Sequence, residues 1–197
     1  MTFQHVFFAY NDQKIVFRDL SLTLPATGAV CLCGDSGCGK TTLLRLLCGQ
    51  LTPQKGTLAN LPRRPAVVFQ EDRLLPWKTA LENVTLVLGN LPDAANRATA
   101  ALSSVGLTTA EQARLPGELS GGQCRRVALA RALALPDADA LLLDEPFAGL
   151  DDERVDAIAA LLRRTATEKL VFVITHNAQD AARLAAPLLR MQNGQVE

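Results

Sequence analysis

The chemistry in this chain begins at Gly34-Asp35-Ser36-Gly37-Cys38-Gly39-Lys40-Thr41, which meets the pattern G-x-x-x-x-G-K-[ST] at every fixed position. Gly34, Gly37 and Gly39 let successive N–H groups converge on phosphate oxygens. Lys40 adds a point charge, and Thr41 is placed to offer its hydroxyl to Mg²⁺. A second group is Asp144-Glu145, adjacent carboxylates at the end of the apolar run Ala140-Leu141-Leu142-Leu143. One suits a Mg²⁺ held through its water shell, and the next suits orienting or deprotonating an attacking water. His176, one of two histidines, follows the run Leu170 to Ile174 and is placed to contact a γ-phosphate. The last group is Ser120-Gly121-Gly122-Gln123. Ser120 reads as an N-cap, and each glycine costs up to about 1 kcal/mol against alanine in a helix interior, so something must approach that backbone closely. A second anion site is the economical explanation.

Such groups need a scaffold that delivers them to one edge. Ala29 to Cys33 forms a short apolar strand before the loop, and Leu43, Leu44, Leu46 and Leu47 continue it as a helix whose positive end faces the anion. Ala66-Val67-Val68-Phe69 is another buried strand, ending at Gln70. Runs without polar alternation belong to strands covered on both faces, and ligands collect at the carboxyl ends of such strands. Gln70, Asp144, Glu145 and His176 are therefore expected together. The stretch to about Pro25 alternates instead, as Leu20-Ser21-Leu22-Thr23-Leu24 does, and predicts a small antiparallel layer. Asn11-Asp12 suggests a hairpin turn there, leaving Tyr10 at a strand end. Pro53 to Pro65 reads as a polar connector. From Glu71 to about Arg131 the pattern is helical, with Asp93 as a cap, Gly106 as a stop, and Thr108 or Thr109 starting a further short helix. Val127, Ala130, Leu133 and Ala134 follow Ser120 at helical spacing up to Pro136. Asp151 or Asp152 opens a helix with Val155, Ile158, Ala159 and Leu162 on one face.

Composition narrows the function classes. The 197 residues, 48% hydrophobic, support one substantial core with at most a smaller lobe attached. Lys plus Arg number 20 and Asp plus Glu number 20, so no net field recruits nucleic acid. No apolar run approaches the roughly 18 residues of a spanning helix, and Met1-Thr2-Phe3-Gln4 lacks the basic start of a signal peptide, which predicts a cytoplasmic protein. Cys31, Cys33, Cys38, Cys48 and Cys124 fit neither zinc spacing nor a secreted disulfide framework, and are expected as reduced thiols.

Taken together, these residues resemble the ATP-binding subunit of an ABC transporter across essentially the whole chain. The phosphate loop matches Walker A, Gln70 the Q-loop glutamine, Leu119 to Gln123 the signature sequence, and Leu141 to Glu145 Walker B with its catalytic glutamate. Gly149-Leu150-Asp151 resembles the D-loop, and His176 the switch histidine. The resemblance implies an α/β fold of the P-loop NTPase type: a mainly parallel sheet flanked by helices, an N-terminal antiparallel β layer, and a helical subdomain. It implies one domain over 1–197, with 1–70 and 135–197 as nucleotide-binding core and 71–134 as the signature subdomain. It implies ATP and Mg²⁺, with Glu145, His176 and Gln70 catalytic and Thr41, Gln70 and Asp144 toward the metal. Nucleotide contacts would come from Tyr10 on adenine, from Gly34, Asp35, Ser36, Gly37, Cys38, Gly39, Lys40, Thr41 and Thr42, and from Ser120, Gly121, Gly122, Gln123 and Asp151. Two copies would sandwich two ATP in a two-fold dimer. Gln70 to Leu88 would dock on a membrane permease, itself served by a solute-binding protein, and the subunit would sit on the cytoplasmic face of the inner membrane.

Within the family, Val68 to Trp77 followed by Glu82-Asn83-Val84 resembles importers of the nitrate, sulfonate and taurine group. A soluble relative acting in DNA repair, translation or cofactor assembly is the alternative. It is disfavoured by the lack of a heptad insertion, of a basic stripe and of a second motif set. Three departures stand out. The segment from Lys40 to Gln70 is short, implying a trimmed β layer. Arg125 stands where the family commonly has glutamine, and Asn177 follows His176 where aspartate is common.

Overall fold

A computed structural model describes residues 1–11 and 13–197. Along the chain run β1 (Thr2–Ala9), β2 (Ile15–Thr23), β3 (Gly28–Gly34), α1 (Lys40–Leu47), β4 (Lys55–Ala59), β5 (Pro65–Val68), α2 (Ala80–Leu88), α3 (Ala94–Ser104) and α4 (Thr109–Gln112). A 3₁₀ turn at Pro116–Glu118 precedes α5 (Gly121–Ala134), β6 (Ala140–Asp144), α6 (Asp152–Ala166), β7 (Leu170–Ile174), α7 (Gln179–Arg183), β8 (Leu188–Gln192) and β9 (Gln195–Val196).

A six-stranded sheet in the order β5-β6-β7-β3-β8-β9 is parallel except at its last pair, and a three-stranded antiparallel sheet β2-β1-β4 lies apart from it. Period-two alternation splits the side chains of the central strands between two cores. Leu141, Leu143, Val171 and Val173 pack with α2, α3, α5 and α6. Ala140, Leu142, Leu170, Phe172 and Ile174 pack with α1 and the antiparallel layer. Every residue of β6 and β7 is buried, which explains their unbroken apolar composition. On α6 the predicted face, Val155, Ile158, Ala159 and Leu162, is the buried one.

Two expectations need correction. Residues 55–59, expected within a connector, form β4 and pair with β1 through Phe3↔Leu58 and Phe7↔Lys55. Their burial pattern is exposed except at Leu58, so the strand carries no alternation to read. Asp93 does stand before α3, but its backbone is left-handed at φ 60° and its side chain makes no capping bond. Thr79 caps α2, and Thr108, one of the two expected starts, caps α4, each with a glutamate three residues on completing a capping box. Of the expected Asn11-Asp12 turn, Asp12 lies outside the described residues, while Asn11 Oδ1 accepts from the N–H groups of Gln13 and Lys14.

Candidate functional site

Strands β3, β6 and β7 end side by side, and their loops frame a cavity of about 450 Å³. Of the predicted residues it is lined by Tyr10, Ser36, Gly37, Gly39, Lys40, Thr41, Thr42, Gln70, Asp144, Glu145 and His176. Parallel register does the positioning: Asp144 pairs with Ile174, so Glu145 and Thr175 leave the sheet together. The Glu145 N–H donates to Ile174 O at 2.9 Å. Glu145 holds φ 54°, a left-handed backbone that a non-glycine residue adopts only when its surroundings impose it.

Helix α1 is preceded by Gly39, whose φ of 117° excludes other residue types, and no side chain caps its first turn. Its free N–H groups and dipole face the cavity. Lys40 is nearly buried and curls back, donating to Gly34 O at 2.7 Å and Asp35 O at 2.9 Å. Gly34, Asp35 and Cys38 do not line the cavity themselves.

The two acids have different partners. The Asp144 carboxylate accepts from Thr41 Oγ1 at 3.1 Å, and burial pushes its carboxyl above the ordinary range against that hydrogen bond. Glu145 Oε1 lies 3.2 Å from His176 Nε2, and burial likewise raises its carboxyl, with His176 pulling the other way. Among the described residues no three His, Cys, Asp or Glu side chains form a metal cage. A hydroxyl, a carboxylate and Gln70, which lines the same cavity, instead suit a Mg²⁺ that keeps several waters and takes phosphate oxygens. A buried acid whose ionised form is costly fits such a cation well.

Tyr10 closes the other end, its hydroxyl 3.2 Å from Thr42 Oγ1 and within reach of Arg45 Nη1, with Lys14 Nζ over its ring at 5.5 Å. Lys14, Val16 and Arg45 also line the cavity and were not singled out from sequence. Arg45 falls one helical turn beyond Thr41, so 3.6-residue spacing carried the signal.

Ser120 to Gln123 and Asp151 do not line this cavity. The Ser120 hydroxyl accepts from Gln123 N–H, while Gln123 Oε1 accepts from Ser120 N–H at 2.7 Å and its Nε2 donates to Glu111 at 2.6 Å. Asp151 caps α6 through Arg154. A methyl on Gly122 would meet Gly149 O at 2.7 Å, whereas one on Gly121 would meet open space. At Gly122, then, the chain's own backbone makes one close approach. Asn177, the departure after His176, caps Gln179 N–H with its Oδ1, work an aspartate would do with an added charge.

Residues 17–148 match the family described as ABC transporter. The chain belongs to that family. It is an ATPase cassette. The aliphatic sulfonates import ATP-binding protein SsuB 3 of Paraburkholderia xenovorans (strain LB400) is 44% identical over 185 residues, covering 93% of this chain and 73% of its own. The taurine import ATP-binding protein TauB of Pseudomonas aeruginosa (strain UCBPP-PA14) is 42% identical over 196 residues, covering 92% and 73%. A dimeric structure of a bacterial ABC transporter cassette superposes with a TM-score of 0.88 at 28% identity, over 100% of this chain and 96% of that one. No helix among the described residues is long and apolar enough to cross a membrane.

Proposed function

We propose that this cassette energises import of a small sulfonate or taurine-like solute, and that it works as a two-fold dimer with two ATP at the interface. Support for the solute class comes from the import proteins at 42 to 44% identity. Support for the dimer comes from the dimeric cassettes of the same fold and from a signature helix start that stands outside its own cavity.

The observation that carries the mechanism is the meeting of two paired acids, Asp144 with Thr41 and Glu145 with His176, beside Lys40 and an uncapped helix start. Lys40 exchanges the carbonyls of Gly34 and Asp35 for the β- and γ-phosphates. The α1 N–H groups bind the same oxygens. Thr41, Asp144 and Gln70 would hold Mg²⁺, which would neutralise phosphate charge. Glu145 takes a proton from the attacking water as its oxygen bonds to the γ-phosphorus, and the bond to the β–γ bridging oxygen breaks, leaving ADP and phosphate. His176 orients Glu145 and contacts the transferring group, and Tyr10 stacks on adenine. Ser120 to Gln123 and Asp151 serve the other copy's nucleotide.

Residues 71–134 would move as the signature lobe. Trp77 is 70% exposed and Leu86 50%, large apolar side chains suited to a membrane permease that holds the subunit at the cytoplasmic face and receives solute from a binding protein. Glu145→Gln should retain ATP binding, lose about 10²- to 10⁴-fold in turnover, and accumulate a dimer with ATP. Normal turnover in that variant would remove Glu145 from the base role. Recovery of the wild-type protein with a permease from solubilised membranes, and ATPase stimulation by sulfonate in that complex, tests the transport reading.

A further inference from the structure

Arg125 occupies a position that ATP chemistry does not explain. It lies on α5, is 5% exposed, and spends its guanidinium on the segment that carries Gln70 out of β5. Nη1 donates to Phe69 O at 2.6 Å and lies 3.0 Å from Asp72 Oδ1, and Nη2 donates to Gln70 O at 2.7 Å. A planar fork is the side chain that can bind two successive carbonyls at once. Arg131, farther along the same helix, adds bonds to Asp72 O and Arg73 O, both at 2.8 Å. From Phe69 to Arg73 this segment is thus held by one helix, and that helix begins at Ser120. The separation of Arg125 from Ser120 is about 7.5 Å along the axis, short enough for a helix to act as a rigid arm.

We infer that Arg125 is a positioning residue that transmits nucleotide occupancy from Gln70 to the signature helix start of the same chain. The inference rests on the reading that Gln70 meets ATP and that Ser120 to Gln123 serve the partner. A cassette with ATP in its own cavity then presents a differently oriented signature to the other copy's site, so each ATP prepares the opposite half of the dimer. Glutamine, the residue common here in the family, has no charge and a single amide nitrogen in place of the fork. The arginine makes the coupling stiffer in this chain.

The test uses hydrogen exchange on the full chain carrying Glu145→Gln, with Mg-ATP, diluted until light scattering shows single chains. ATP should protect residues 34–42 and also change exchange at 119–124, although no partner is present. Adding Arg125→Ala should leave the first response and abolish the second. Arg125→Lys keeps the charge beside Asp72 without the fork. It should shrink the second response and lower kcat about tenfold, the loss of one charge-assisted hydrogen bond, with single-chain ATP affinity unchanged. The lysine variant decides the matter if the alanine variant fails to fold. A full response at 119–124 in either variant, or none in the starting protein, overturns the inference. If instead ATP fails to dimerise Glu145→Gln at higher concentration, the sandwich is wrong while the single-chain link is still measured.

Discussion

Glycine stands at the opening of both α1 and α5, Gly39 just before the first and Gly121 as the first residue of the second, but the first leaves its opening turn bare and the second closes it. At α1, Gly39 turns the chain at φ 117° and supplies no side-chain acceptor, so the N–H groups remain for a phosphate. At α5, Ser120 and Gln123 satisfy each other's backbone in a capping box, and Gln123 is bound further by Glu111. The first start lies in a cavity with buried Lys40 and Asp144, while at the second Ser120 and Gly121 are exposed. A helix start inside its own chain's cavity can be left open for a ligand. A surface to be presented to another chain's ATP has to hold its shape without the ligand, and a capped helix does so.

The largest separation between the two starts should come from Lys40→Ala, which removes a charged donor from the first alone. Affinity of single chains for ATP should fall about 10- to 100-fold, the worth of a charge-assisted contact. Calorimetric titration at a dilution that keeps chains apart checks this, and Gly121→Ala should leave the same value unchanged. The two glycines of α5 should then part company. Gly122→Ala forces a methyl onto Gly149 O, 2.7 Å away, and should cost about 1–3 kcal/mol through overpacking. Gly121→Ala meets nothing and should stabilise the helix by up to about 1 kcal/mol, yet slow the turnover of the dimer. Denaturant melts read beside ATPase rates separate them, and equal melts would show that Gly149 yields freely.

Asp144 gives a pH handle on the first start. Burial lifts its carboxyl above the ordinary aspartate range, so the folded chain binds that proton more readily than the unfolded chain. Stability should therefore fall as pH rises through the window from the ordinary to the raised value. Above that window the ionised acid is a cost in the nucleotide-free protein. Asp144→Asn should raise Tm above that window, by about 2–4 °C for each kcal/mol relieved, while abolishing Mg²⁺-dependent turnover. The gain should vanish as pH drops below that window, and thermal melts across pH without nucleotide read it.

What was legible from sequence follows the same division. The strands β6 and β7 announced themselves because both faces are covered, and Asp144, Glu145 and His176 were found because strand ends are where a parallel sheet gathers ligands. Local chemistry also gave Ser120 as a cap and the buried face of α6. Hidden features depend on contacts between segments far apart. Strand β4 is nearly all exposed and owes its existence to pairing with β1. Asp93 has the right side chain on the wrong backbone. Gly122 also has Gly149 O close against it, a contact that only the fold shows. Arg125 read as a departure from pattern, because its acceptors lie 53 to 56 residues away in sequence.

The smallest effect probes the second start most closely. Ser120→Ala removes the acceptor of the Gln123 N–H and should cost about 1 kcal/mol, a Tm loss of roughly 2–4 °C in a chain of this size. Ser120→Asn supplies another capping acceptor and should recover that stability. Turnover need not follow, because an amide does not place a hydroxyl where the partner's phosphate would meet it. A variant restored in Tm but still slow assigns Ser120 two roles, cap and ligand. Full recovery of both would leave it the cap alone and shift the phosphate contact to the Gly121 backbone.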